Sequence, residues 1–194
     1  MDEQRLIAKR VAVFCGSKKG LNERYEQMAF DMGAALAKAG WEVVFGGSSS
    51  GLMGAMASGV MHQKGRLLGV YPPFLKEREL VHRSLDEIYQ VADLAERKKV
   101  LSELTIGSIC LPGGVGTMDE LFEMMTFNSI GQHNARFFAL HNVHGYYDHL
   151  MRFFDQMADG GFVSDQILGR VVLEEDCQTM VKKIEHLSNL SGDH

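Results

Sequence analysis

Ser108-Ile109-Cys110-Leu111-Pro112-Gly113-Gly114-Val115-Gly116-Thr117-Met118-Asp119-Glu120 is the stretch whose reading decides the fold. Ser108 to Leu111 is a short uncharged run that stops at a turn signal, the pattern of a strand covered on both faces. A proline and three glycines end it, and a helix is expected from Thr117 to Asn128. A strand that passes through a glycine turn straight into a helix is the repeating block of parallel α/β sheets.

The same block recurs on either side. Upstream, Arg10 to Cys15 reads as a strand ended by Gly16-Ser17, and Asn22 can cap a helix that runs to about Ala39, with Gly40 as its stop. Trp41 to Phe45 is a second strand, followed by Gly46-Gly47-Ser48-Ser49-Ser50-Gly51 and a helix from Leu52 to Gln63 rich in Ala, Met and Gly, whose small residues suit close packing against a neighbour. Leu67 to Tyr71 is a strand ended by Pro72-Pro73, Phe74 to Ser84 a polar loop over the site, Glu87 to Val91 a short strand, and Leu94 to Glu103 a helix carrying Arg97-Lys98-Lys99. Downstream come a strand over Phe137–Leu140, a helix over Tyr146–Ala158, a strand over Val171–Leu173 and a helix over Thr179–Leu187. Alternation throughout predicts an α/β three-layer sandwich: one central parallel sheet with helices on both faces. Residues 1–194 read as one domain, with a frayed tail from Ser188 to His194.

Composition narrows the function classes. The 194 residues are 45% hydrophobic, enough for a folded core. Twenty basic against 25 acidic side chains give a net charge of −5, which disfavours nucleic acid and anionic membrane as partners. There is no run of 18 apolar residues, and the polar start Met1-Asp2-Glu3-Gln4-Arg5 leads into a strand, so a cytoplasmic protein is expected. The odd cysteines Cys15, Cys110 and Cys177, at unrelated spacings, read as reduced and buried.

In open parallel sheets ligands bind beyond the carboxyl ends of the strands. Three glycine turns sit at such ends, making Gly16, Ser17 and Gly47 candidate contacts beside the third turn, Gly113 to Thr117. In that third turn glycines admit a close anion, and the helix behind it aims free N–H groups and the positive end of its dipole at the same place. The string Gly-x-x-x-x-Gly-Lys-Ser/Thr of the P-loop is absent, and Asp119 stands where a dinucleotide motif needs its third glycine. His141 and His144 lack the surroundings of a zinc site, and Ser48-Ser49-Ser50 lacks a nucleophile elbow. No metal and no cofactor is called for.

Pro112-Gly113-Gly114-Val115-Gly116-Thr117-Met118-Asp119-Glu120 resembles the Pro-Gly-Gly-x-Gly-Thr-x-x-Glu motif of the Lonely Guy (LOG) family, the cytokinin riboside 5′-monophosphate phosphoribohydrolases once described as lysine decarboxylases. Phe14-Cys15-Gly16-Ser17, Gly51-Leu52-Met53-Gly54, Arg97-Lys98, Gly131-Gln132-His133, Gly145-Tyr146-Tyr147-Asp148 and Gly160-Gly161-Phe162 extend the resemblance over roughly residues 10 to 175. It implies a Rossmann-like fold, a homodimer, and a nucleoside 5′-monophosphate as the small-molecule partner. It maps the adenylate site onto Glu79, Arg97, Lys98, the loop Gly113, Gly114, Val115, Gly116, Thr117, Met118 and Asp119 up to Glu120, and Thr126. Its catalytic pair falls on Arg97 and Glu120. Leu94-Ala95-Glu96 and Phe127-Asn128-Ser129-Ile130 depart from the family pattern beside the base pocket and leave the base open.

The residues carry that chemistry on their own terms. Cleaving an N-glycosidic bond develops positive charge on the sugar, which a carboxylate beneath C1′ stabilises. Glu120 lies one helical turn past the loop, so a phosphate held there would hang the ribose near it; helix capping by Glu120 is the competing structural reading. Arg97 stays charged and suits holding Glu120 or anchoring substrate oxygens, and Lys98 adds positive charge. Two other classes use the same features differently: a nucleotide or cofactor carrier, which molybdenum-cofactor carrier proteins resemble, needs no such pair, and a decarboxylase would need a lysine in a cofactor-linkage context. The segment Leu52 to Met61 with Met124 and Met125 offers surplus apolar surface that fits a homodimer.

Overall fold

The computed structural model describes residues 9–73, 82 and 84–190. Among these residues are seven strands: β1 (Arg10–Phe14), β2 (Glu42–Phe45), β3 (Leu67–Tyr71), β4 (Glu87–Gln90), β5 (Gly107–Cys110), β6 (Phe137–His141) and β7 (Val171–Glu174). The helices are α1 (Arg24–Lys38), α2 (Gly51–His62), α3 (Leu94–Glu103), α4 (Val115–Ser129), α5 (Asp148–Asp159), α6 (Asp165–Leu168) and α7 (Cys177–Leu190).

All strand pairs are parallel, in the order β4-β3-β2-β1-β5-β6-β7. The chain starts in the middle, walks outward to β4, then returns to lay β5 against the free side of β1. The path reverses between β1 and β5, so their carboxyl ends diverge into a crevice.

Period-2 alternation divides the sheet residues between two cores. Val11, Val13, Val43, Phe45, Ile109 and Phe137 face one way and pack with α1, α2 and α7 residues such as Met32, Met56 and Ile184. Ala12, Phe14, Val44, Val70, Cys110 and Phe138 face the other way, under Leu101 of α3, Leu121 and Met124 of α4 and Phe154 of α5. Strands covered on both faces explain why each reads as an unbroken apolar run. At the opposite edge from the crevice, Arg10 Nε donates to Glu42 at 2.8 Å, Arg66 to Glu42 at 2.6 Å, and Arg66 also pairs with Glu87. These ion pairs tie the amino ends of four strands.

Helices α1 and α2 touch backbone to backbone. A Cβ on Gly33 would come within 2.1 Å of the Met56 carbonyl oxygen, and one on Gly59 within 2.0 Å of that of Phe30. The Ala-, Met- and Gly-rich composition of α2 serves this contact. Leu52, Met56, Ala57, Val60, Met124 and Met125 are all buried within the single chain, so the surplus apolar surface expected there is core.

Several boundaries differ from the sequence reading. α4 starts at Val115, two residues before the expected Thr117, because Gly114 takes an extended cap conformation and its carbonyl accepts the Met118 N–H at 3.2 Å. A 3₁₀ turn over Val143–Gly145 delays α5 to Asp148. The short α6, capped by Ser164, had no signal strong enough to predict it. α7 runs to Leu190, into the stretch expected to fray: Ser188 is buried and its carbonyl accepts the Arg136 guanidinium. The polar loop 74–84, apart from His82 and Ser84, lies outside the described residues.

Candidate active site at the switch point

Three backbone turns interlock at the crevice. The Gly16 N–H donates to the Pro112 carbonyl at 3.1 Å, and the Leu52 N–H donates to that of Gly16 at 3.1 Å. Between them lies a cleft of about 420 Å³ whose walls include Gly16, Ser17, Gly46, Arg97, Gly114 to Thr117 and Glu120. The first turn of α4 opens onto it. The first N–H groups of any helix lack partners within it, and here the cap is a glycine with no side chain and the first turn holds no acidic residue. Nothing belonging to the helix terminus itself neutralises its dipole.

The loop glycines divide into two kinds. A Cβ on Gly113 would come within 2.1 Å of the buried Thr117 hydroxyl, so that glycine is required by the fold. A Cβ on Gly114 or Gly116 would meet no atom within 4 Å, and neither has a positive φ. Both line the cleft.

Glu120 and Arg97 meet on the floor. Arg97 Nε donates to the Val70 carbonyl at 3.1 Å, which turns the far end of the guanidinium toward Glu120, with Nη2 3.8 Å from Oε1. Gly46 makes room for it: a Cβ there would lie 2.0 Å from Nη2. The two side chains are 15% and 16% exposed. Burial pushes the Glu120 carboxyl up from 4.5 to about 7, against the opposing pull of Arg97. A carboxyl of this kind changes charge near neutrality and, when ionised, faces the cleft as a poorly solvated anion.

The other expected residues distribute as follows. Gly16, Ser17 and Gly114 to Thr117 line the cleft together with Glu120 and Arg97, and Gly113 packs between Thr117 and the Gly16 backbone. Lys98 points elsewhere: it pairs with Asp119 at 3.1 Å and with Glu123, clamping α3 to α4, and those carboxylates raise its pKa, Glu123 foremost. Met118 packs against the α3–α6 core. Gly47 is held with φ +78°, its carbonyl accepting the His82 N–H at 2.9 Å, outside the cleft lining. Thr126 is exposed and donates to the Phe122 carbonyl at 2.7 Å, also away from the cleft. Glu79 lies outside the described residues. Cys15 borders the cleft, but burial, then Glu120, hold its thiol far above the usual range, which suits a packing residue and not a nucleophile. Among the described residues no cluster of three His, Cys, Asp or Glu could hold a metal ion, and no helix is long and apolar enough to cross a membrane.

Sequence reasoning assigned no role to Met53 or Gly46, which help to line the cleft, or to Tyr146 and Tyr147, which stand behind the loop. Only the recurrence of Gly145-Tyr146-Tyr147-Asp148 in the family pattern marked the tyrosines.

A doubly wound parallel sheet with a largely buried carboxylate–guanidinium pair beside a glycine-capped helix terminus at its switch point defines an α/β protein with a cleft of a kind that suits an anion. A family model described as "Possible lysine decarboxylase" matches residues 53–184. A cytokinin riboside 5′-monophosphate phosphoribohydrolase of Arabidopsis thaliana is 36% identical over 185 residues, covering 95% of this chain and 85% of that protein. One of Rhodococcoides fascians is 36% identical over 183 residues, covering 94% and 92%. The chain belongs to this family, the LOG phosphoribohydrolases. Among solved structures, the molybdenum cofactor carrier protein of Chlamydomonas reinhardtii superimposes with a TM-score of 0.71 at 18% identity, covering 93% of this chain and 98% of that one. The molybdenum cofactor binding protein of Rippkaea orientalis gives 0.67 at 16%, covering 92% and 96%. At these identities the likeness extends to the fold alone.

Proposed function

We propose that this chain is a hydrolase that cleaves the N-glycosidic bond of a nucleoside 5′-monophosphate, AMP or an N6-modified, cytokinin-type AMP, to free base and ribose 5-phosphate. The observation that carries the reading is the placing of Glu120 five residues behind the open terminus of α4, with Arg97 of α3 beside it. Five residues advance about 7.5 Å, which leaves room for a ribose between a 5′-phosphate at the terminus and a C1′ near the carboxylate. The 5′-phosphate sits against the first turn of α4, where Gly114 and Gly116 leave space. The ionised Glu120 then faces C1′ and stabilises the cationic sugar as the bond to the base lengthens, electrostatically or by bonding to it. Arg97 holds the carboxylate and favours its charged form. Water supplies the hydroxyl that ends on C1′ and the proton that leaves with the base.

The family relatives named as phosphoribohydrolases support this class of reaction. A carrier would need the loop but not a carboxylate kept poorly solvated inside the cleft. Binding in the cytoplasm as a homodimer completes the proposal. Exposed Leu94, Val115 and Ile130, and not the α2 segment, are the apolar side chains on or beside α3 and α4 that a second copy would cover. Light scattering at micromolar concentration should give twice the chain mass, and a monomer would count against the dimer.

A panel of nucleosides and nucleotides tests the reaction. Charge-assisted bonds contribute about 1.5–3 kcal/mol each, so losing two or three predicts adenosine to be at least roughly a hundredfold poorer than AMP in kcat/KM. Comparable efficiencies would refute the phosphate assignment and, with it, the placing of Glu120 at C1′.

A further inference from the structure

Three consecutive carbonyls at the end of β5 are each held from outside the loop. The Leu111 carbonyl accepts the Tyr147 hydroxyl at 2.7 Å, the Pro112 carbonyl accepts the Gly16 N–H at 3.1 Å, and the Gly113 carbonyl accepts the Tyr146 hydroxyl at 2.6 Å. A planar trans peptide points its C=O and the following N–H in opposite directions. Fixing the Gly113 carbonyl toward Tyr146 therefore turns the Gly114 N–H the other way. Gly114 borders the cleft, whereas Tyr146 stands outside its lining. The Leu111 carbonyl differs, because Pro112 follows it and has no N–H to aim.

We propose that Tyr146 is a positioning residue of the anion cradle: its hydroxyl holds the Gly113–Gly114 peptide so that the Gly114 N–H is presented to a bound phosphate. This rests on the phosphate-binding part of the function proposed above.

The surroundings of Tyr146 support that assignment. It is 41% exposed, so its placement is not imposed by burial. It is gripped instead by ring contacts, edge-on to Tyr147 at 5.0 Å and to Tyr25 at 6.1 Å. The turn that delivers it contains His144 at φ +54° and Gly145 at φ +70°, two successive left-handed residues. A Cβ on Gly145 would also come within 2.5 Å of Asp148 Oδ2. Left-handed backbone at a residue other than glycine persists where the surrounding structure holds it in place, and such sites cluster at ligand clamps.

The two tyrosines provide their own control. Calorimetric titration with inorganic phosphate and with ribose 5-phosphate compares the parent, Tyr146→Phe and Tyr147→Phe, alongside AMP kinetics and thermal melts. For Tyr146→Phe, affinity for both anions should fall by roughly tenfold, the worth of about one hydrogen bond. KM for AMP should rise by the same factor, with kcat within about twofold and the melting temperature unchanged. Tyr147→Phe leaves the buried Leu111 carbonyl without its partner, so it should melt earlier yet bind phosphate like the parent. Parental phosphate affinity in Tyr146→Phe overturns the assignment, as does an equal loss in both variants, which would mean general loosening of the loop. A parent that binds neither anion overturns the cradle and the assignment together. A parent that binds both anions but releases no base from AMP refutes the hydrolase alone, and the two titrations still decide the role of Tyr146.

Discussion

Replacing Glu120 by Gln should make the protein more stable and less active, with the stability gain appearing only as pH rises. The rise of the carboxyl from 4.5 to about 7 spans roughly 2.5 pH units. At about 1.4 kcal/mol per unit, keeping the anion in place costs the fold about 3 kcal/mol once it is fully ionised. The side chain is 16% exposed, so water relieves little of this. Between pH 4.5 and 7 the folded chain holds the Glu120 proton more tightly than the unfolded chain does, so this group's contribution falls as pH rises through that window. Glutamine keeps the shape and does not titrate. Parent and variant should melt together near pH 4.5. At pH 8.5 the variant should lead by roughly 6–12 °C, since 1 kcal/mol moves a chain of this size by about 2–4 °C. Other titrating groups cancel in the difference. Turnover of AMP by the variant should be down by roughly 10² or more, the usual loss when one electrostatic stabiliser is removed. Paired melts from pH 4.5 to 8.5 supply the test. A gap that stays flat with pH, or a variant less stable than the parent at pH 8.5, would refute the claim that burial charges the fold for this carboxylate.

In the parent, kcat/KM for AMP should climb as pH passes through about 7, because the ionised carboxylate is the working form; a profile flat from pH 5.5 to 8.5 would contradict this. Gly46→Ala places a Cβ on the Arg97 guanidinium. Turnover should then drop by roughly a hundredfold, and the rate profile should shift alkaline as Glu120 loses the pull of Arg97; an unmoved profile would count against the pairing. Gly116→Ala meets open space and replaces a helical glycine, so stability should hold or improve by up to about 1 kcal/mol while KM for AMP rises at least about tenfold. Parental AMP kinetics in that variant would mean that no phosphate approaches there. Gly33→Ala forces a methyl against the Met56 carbonyl and should cost about 1–3 kcal/mol in denaturant melts without touching the cleft.

Most of the architecture was legible because parallel strands covered on both faces cannot hide: Val11 to Phe14, Val43 to Phe45 and Phe137 to Leu140 are uncharged runs between turn signals. The pair Arg97 and Glu120 was also legible, though from family resemblance and not from spacing, since 23 residues separate two side chains that meet only after β5 docks beside β1. The fate of Lys98 was not, because its partners Asp119 and Glu123 lie on another helix and no local pattern pairs them. The apolar α2 segment was misread as interface for a related reason. Helices that touch through glycine backbones need apolar residues on more than one side, and a single sequence does not distinguish that from a surface awaiting a partner. The start of α4 was placed late because glycine and valine are poor helix formers, and the helix begins there only because Gly114 caps it.

The pairing of β1 with β5 has a consequence for synthesis on the ribosome. Ala12 lies in register with Ser108, and Phe14 with Cys110, partners 96 residues apart. Until residue 110 or so has emerged, the nascent chain can assemble β1 to β4 only as a half-sheet whose β1 edge is unpaired and whose second face lacks α4 to α6. Such an edge invites wrong pairings, and closing so long a loop is slow. The late β5 thus covers an exposed edge, and α4 directly behind it brings Glu120 to Arg97, so a product truncated before β5 would carry Arg97 without its carboxylate partner.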